Sequence, residues 1–161
     1  MNFLALRLHL HSVAMLLLLP VFVCPQTIDL NVRGITVGTS HQVVLRKLGK
    51  PLATIRGGHY PCDDGPMRTL KYPGLVLRLL QGNDGKGFFV AAVDVTSVKW
   101  PVAPKIGIGS GLKEITAKFG TKEIETQNGR KTVSYLMDEG HAVFTFRRAK
   151  AVKIAWEFNV C

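Results

Sequence analysis

The chain has 161 residues, 47% of them hydrophobic, and its 21 Lys and Arg outnumber its 11 Asp and Glu for a formal net charge of +10. That length holds one ordinary core without many staples. The basic residues are spread along the chain with no dense run and no interleaved aromatic ladder, which argues against nucleic-acid binding. It leaves an acidic protein surface, anionic lipid or envelope polysaccharide as partners, or a solvated basic surface with none.

Residues 1–25 read as a signal peptide. Arg7, His9 and His11 make a weakly positive start, Val13 to Leu19 an apolar run, and Pro20 breaks it. The run is short for a membrane span, so an uncleaved anchor is the lesser alternative. Cys24 follows a second apolar stretch and is a candidate for lipidation, although Phe22 and Val23 before it are not the small residues such processing prefers. Membrane association is expected only if Cys24 is lipidated. The expected location is exported: periplasm, cell envelope or extracellular.

Beyond residue 25 the periodicity predicts an α+β fold. Ile28, Leu30 and Val32 suggest a leading strand. Residues 39–49 carry the grammar of a short helix: Thr39 as N-cap, Gln42 completing a capping box, Val44 and Leu48 on one face, Gly49 and Pro51 as a stop. Strands follow near 52–57, 68–72, 75–81 and 88–95, with Leu75, Leu77 and Leu79 inward and Val76, Arg78 and Leu80 opposite. The segment Lys99 to Lys105 is a short Pro-bearing linker. A second helix runs from the Ser110 cap to Gly120, with Leu112, Ile115 and Phe119 on one face. Strands near 122–127, 130–138, 141–147 and 150–158 come after it. In the last, Val152, Ile154, Trp156 and Phe158 alternate with Lys153, Ala155, Glu157 and Asn159.

The two helical segments match each other. Residues 35–49 align with 106–120 without a gap, and Ile35/Ile106, Gly38/Gly109, Lys47/Lys118 and Gly49/Gly120 are identical. The expected architecture is therefore two tandem helix-plus-four-strand units, 26–98 with the leading strand and 106–161, joined by residues 99–105. The helices would pack on one face of a largely antiparallel sheet and leave the other face at least partly open.

The pattern of an apolar residue, Gly, Ser or Thr, a short helix, Leu/Phe-Gly and strands bearing Tyr72 or Tyr135 resembles the SmpA/OmlA (BamE-like) outer-membrane-assembly lipoprotein unit. Two such units resemble the β-lactamase-inhibitor-protein architecture. The resemblance covers roughly residues 35–158. It implies a helix-on-sheet fold, a place in the cell envelope and protein binding rather than catalysis. It also implies a contact surface on the open sheet face, which by position includes Lys71, Arg78, Ser134 and Lys153. The lipobox of the lipoproteins is missing, and there are too few cysteines for one disulfide per unit.

Once the signal peptide is removed, Cys62 and Cys161 remain, and an even number in an oxidising compartment suggests a disulfide between them, two free thiols being the alternative. The one polar cluster is His59, Cys62, Asp63 and Asp64. It offers a metal site or a thiol–imidazole pair, giving a small secreted enzyme or metal-binding protein as the second reading. Flanking Gly and Pro make a surface loop the plainer account. No G-x-S-x-G, P-loop or H-E-x-x-H is present, so no catalytic residue, metal or cofactor is expected. Phe88, Val90, Val76 and Leu80 are expected opposite the leucine stripe, either as an exposed apolar partner site or covered by a terminal segment. The favoured function is an exported, non-catalytic module that binds a protein or anionic envelope component through the open sheet face. A purely structural envelope protein is the third reading.

Overall fold

The computed structural model describes residues 27–58, 60 and 65–159. The signal-peptide residues, Cys24, His59, Cys62, Asp63, Asp64 and Cys161 lie outside them. Two short helices each precede four strands: α1 (His41–Leu48), β1 (Ala53–Arg56), β2 (Met67–Tyr72), β3 (Leu75–Gln81) and β4 (Phe88–Val95), then α2 (Leu112–Phe119), β5 (Ile124–Gln127), β6 (Arg130–Met137), β7 (Gly140–Arg147) and β8 (Lys150–Phe158). All eight strands form one antiparallel sheet in the order β1-β2-β3-β4-β8-β7-β6-β5. Each set of four is a meander, and the last strands of the two sets pair at the centre, Val93 opposite Trp156 and Val95 opposite Ile154.

The helices pack on one face. Leu75, Leu77 and Leu79 of β3, Tyr135 of β6, Phe144 of β7 and Ile154 and Trp156 of β8 share one continuous core with Val44 of α1 and with Ile115 and Phe119 of α2. An eight-residue helix is marginal alone, so burial of this stripe holds each in place. Phe119, Tyr135 and Phe144 add a three-ring cluster with centroids 5.7–5.8 Å apart.

The segments around the helices repeat the same local bonds. Val32 bridges Ile35 as Ala103 bridges Ile106. Thr39 Oγ1 accepts from the Thr36 N–H at 3.0 Å, and Ser110 Oγ accepts from the Gly107 N–H at 3.1 Å. The Gly38 N–H reaches the Val90 carbonyl, and the Gly109 N–H reaches that of Ala151, both at 2.8 Å. Each helix ends on a positive-φ glycine, Gly49 or Gly120. The carbonyl of that glycine accepts a tyrosine hydroxyl from the second strand of its own unit. Tyr72 bonds Gly49 at 2.9 Å and Tyr135 bonds Gly120 at 2.8 Å.

Several expectations are corrected. Thr39 and Ser110 do not cap the helices, because their hydroxyls close the turn before. The N-caps are Ser40, whose Oγ accepts from the Val43 N–H, and Gly111. The capping-box contact falls in α2, where the Glu114 carboxylate accepts from the Gly111 N–H. Residues 28–32 form no strand of the sheet. Ile28, Leu30 and Val32 are instead buried on the helix face, and Asn31 N–H bonds the Val102 carbonyl at 2.9 Å.

The disulfide expected between Cys62 and Cys161 is also corrected: no disulfide is present among the described residues, and both cysteines lie outside them. Long-range closure among the described residues is made by the sheet. β8 is paired on both edges, to β4 and to β7.

The apolar patch is corrected too. The β3–β4 register shifts after Arg78, so that Arg78 faces Ala92 while Leu79 faces Val90. Ala91 is the extra residue of a β-bulge, which reverses the alternation of β4. Val90 joins the main core and Phe88 packs against it, while Leu80 is buried beneath Tyr60, Met67 and Phe89 on the other face. β8 has the matching bulge. Thr145 faces Lys153, Phe146 faces Ala151, and Val152 is left over and exposed where an inward residue was expected.

Candidate functional site

The core-facing residues fix what the opposite face carries, since strand neighbours point to opposite sides. Leu77 and Leu79 inward turn Arg78 outward, Val93 and Val95 do the same for Asp94, and Ile154 and Trp156 for Lys153, Ala155 and Glu157. Cross-strand register aligns them. One row runs Arg78, Ala92, Glu157, His141 over β3, β4, β8 and β7. The next runs Lys71, Val76, Asp94, Ala155, Val143, Ser134 from β2 to β6.

The small side chains Ala92 and Ala155 sit at the centre of these rows. Strand spacing puts the Arg78 and Glu157 backbones about 9–10 Å apart, and the low residue between them lets the guanidinium reach across. Arg78 Nη2 lies 3.5 Å from Glu157 and 3.6 Å from Asp94. Lys153 Nζ meets Asp94 Oδ1 at 2.7 Å, and His141 Nε2 lies 3.4 Å from Glu157. A shallow pocket of about 250 Å3 opens over the group, with Thr145 and Val143 at its side.

Two permanent cations and two carboxylates thus straddle the central β4–β8 pairing. The Asp94 side chain keeps 17% of its exposure while the others keep 35–47%. Exposed pairs of this kind contribute about 0–1 kcal/mol each. Arg78 Nε is buried with no hydrogen-bond partner among the described residues.

Tyr60 closes one end of the same face. It packs with Met67, Leu80, Ala91 and Ala92, and its hydroxyl lies 3.3 Å from the Ala91 carbonyl and 3.4 Å from that of Phe158, bridging β4 and β8. Burial pushes its pKa up to about 12, Glu157 adds to the rise and Arg78 opposes it.

Of the residues expected from sequence, Arg78 and Lys153 come together on Asp94. Lys71 and Ser134 stand at opposite ends of one row, five strand spacings or about 24 Å apart. Asp94, Glu157, His141 and Tyr60 were not anticipated as a group. Alternation alone would have placed Asp94 and Glu157 outward, but only the β4–β8 register brings them together. The His59/Cys62/Asp63/Asp64 loop lies outside the described residues. Among the described residues no group of three or more His, Cys, Asp or Glu is arranged to hold a metal ion, and no helix is long and apolar enough to cross a membrane. A larger recess of about 550 Å3 lies around the β6–β7 turn, between Met137, Asp138, Glu139 and Phe158, and contains none of the four expected contact residues.

No protein-family model and no curated protein matches this chain. Among solved structures it is similar to an extracellular protein containing an SCP domain from Bacillus anthracis str. Ames, at 11% identity and a TM-score of 0.52. That match covers 84% of this chain and 49% of the other, so the chain spans about half the length of that protein. A putative β-lactamase inhibitor protein from Streptococcus mutans matches at 10% identity with a TM-score of 0.33, over 80% of this chain and 90% of the other. The first of these shows a shared fold.

Proposed function

We propose that this chain is an exported, non-catalytic binding module that recognises a protein surface or an anionic envelope component through the open face of its sheet. The observation that carries the reading is the division of the two faces. Helices and connecting segments bury one, while the other holds partly exposed ion pairs over a small-residue floor. Lys71, Arg78, Ser134 and Lys153 are its contact residues, with Asp94, Glu157 and His141 holding Arg78 and Lys153 ready. The repeated bonds around Gly38/Gly109 and Gly49/Gly120 favour reading the two helix-plus-four-strand units as copies of one SmpA/OmlA-like ancestor. The Bacillus anthracis protein of like fold is described as extracellular, which accords with export.

The test is binding to the envelope and secreted fraction of the source cell by immobilised wild type and by two variants. One is Arg78→Glu/Lys153→Glu. The other is Lys71→Glu/Ser134→Arg, which leaves the ion cluster intact. Each variant that keeps the wild-type far-UV circular dichroism is expected to bind at least about tenfold more weakly, about 1.4 kcal/mol. Undiminished binding by both folded variants contradicts the reading.

A further inference from the structure

A second charged surface lies at the β7–β8 turn of the second unit, two residues of β7 beyond Thr145 at the side of the ion cluster. β6 begins at Arg130 and Lys131 where β7 ends at Arg147, since Lys131 faces Phe146. Arg147 faces Lys150 directly across the β7–β8 turn, and Arg148 is in the turn itself. All five cations are exposed, and none is in a salt bridge among the described residues. The carboxylate nearest these cations is Glu114, which accepts from the Gly111 N–H beside Lys150 without forming an ion pair with it, while Glu125 faces Thr132.

Two features of this end work against stability. Like charges directly opposite across strands repel. Arg148 and Ala149 also hold φ of 50° and 60°, left-handed values that favour Asn-Gly in a two-residue hairpin. The neighbouring β5–β6 turn has that favoured pair, Asn128-Gly129. The corresponding turn of the first unit, Gly82 to Gly87, is glycine-rich and carries only Asp84 and Lys86. Lys131 and Arg148 flank a recess of about 360 Å3 whose walls include Leu112 and Phe146. The cations on β6, β7 and β8 spread over about 10 Å.

We infer that this end binds a sulfate- or phosphate-bearing polysaccharide, its anionic groups lying along the row of cations and a ring entering the recess between Lys131 and Arg148. A charge row wider than one oxyanion suits a polymer. The concave recess with apolar walls suits a sugar ring better than the convex backbone of a duplex. Arg130, Arg147 and Lys150 share strand parity with the open face, while Lys131 lies on the helix side with the recess, so the site wraps the end of the sheet and goes beyond the function proposed above.

The test measures affinity for heparin, for uncharged dextran and for a DNA duplex between about 50 and 300 mM salt, where screening separates specific from diffuse attraction. The tip variant is Arg147→Ser/Arg148→Gly/Lys150→Ser, and the control Arg46→Ser/Lys50→Ser/Arg56→Ser removes three exposed cations of the first unit. Heparin binding is expected to weaken about tenfold in the tip variant and to stay within about twofold of wild type in the control. Arg148→Gly alone relieves the left-handed strain, so it is expected to melt at or above the wild-type temperature while binding heparin more weakly. That keeps a loss of binding distinct from a loss of fold. Equal losses in tip and control variants, unchanged heparin affinity in Arg148→Gly and the tip variant, or a duplex bound as tightly as heparin would each overturn the inference.

Discussion

Replacing Tyr72 or Tyr135 by Phe removes one hydroxyl and leaves the ring. Each hydroxyl donates to the carbonyl of the glycine that ends a helix, at 2.9 Å for Gly49 and 2.8 Å for Gly120. A net intramolecular hydrogen bond contributes about 1 kcal/mol. Gly49 and Gly120 are both exposed, so water takes the freed carbonyl and the loss stays near that figure instead of reaching the cost of a buried orphan. The two bonds lie in different units and share no partner, so their effects should add. Urea unfolding followed by tryptophan fluorescence should show about 1 kcal/mol lost in each single variant and about 2 kcal/mol in the double. The melting temperature of each single variant should fall by about 3–5 °C. A loss confined to one tyrosine, or a double variant no worse than a single, would refute the claim that both helices are tied down in the same way.

Two further outcomes follow from close contacts. A Cβ at Gly140 would overlap the Glu157 carbonyl on the paired strand, where backbone meets backbone and neither can move aside. Gly140→Ala is expected to cost about 3 kcal/mol, read from the urea midpoint, and a neutral result would contradict the β7–β8 register. Tyr60 titrates at about 12 in the folded chain against 10.0 ordinarily, and burial raises Tyr72 and Tyr135 in the same direction. A pKa raised on folding gives stability that is intact below pH 10 and lost as pH climbs from there toward 12. The urea midpoint should fall across that window, less steeply in Tyr60→Phe, and equal slopes would remove Tyr60 from the account.

Much of the fold was legible because its signals are local. The stripe Val44 and Leu48, the stripe Ile115 and Phe119, and the stop residues Gly49 and Gly120 mark both helices. Strand alternation placed Leu75, Leu77 and Leu79 inward. Local pattern fails wherever the answer depends on a distant partner. The bulges at Ala91 and Val152 reverse strand parity because the preceding residues, Val90 and Ala151, are tied to the helix-entry segments. The Thr39 and Ser110 hydroxyls are drawn to the turn before the helix, which moved both caps by one residue. The site was half legible for the same reason. Arg78 and Lys153 point outward by alternation, but their meeting at Asp94 depends on β4 pairing with β8, the last strand of one unit against the last of the other.

In the function proposed above, the open face is the surface that partners touch, and photo-crosslinking tests that most directly. A photoreactive amino acid is placed at Ser134 on the open face, or at Leu45 on the exposed side of α1, and each protein is irradiated with the envelope and secreted fraction of the source cell. Specific adducts from position 134, competed by unlabelled wild-type chain and absent from position 45, are the predicted result. Competable adducts from position 45 with none from position 134 would contradict it.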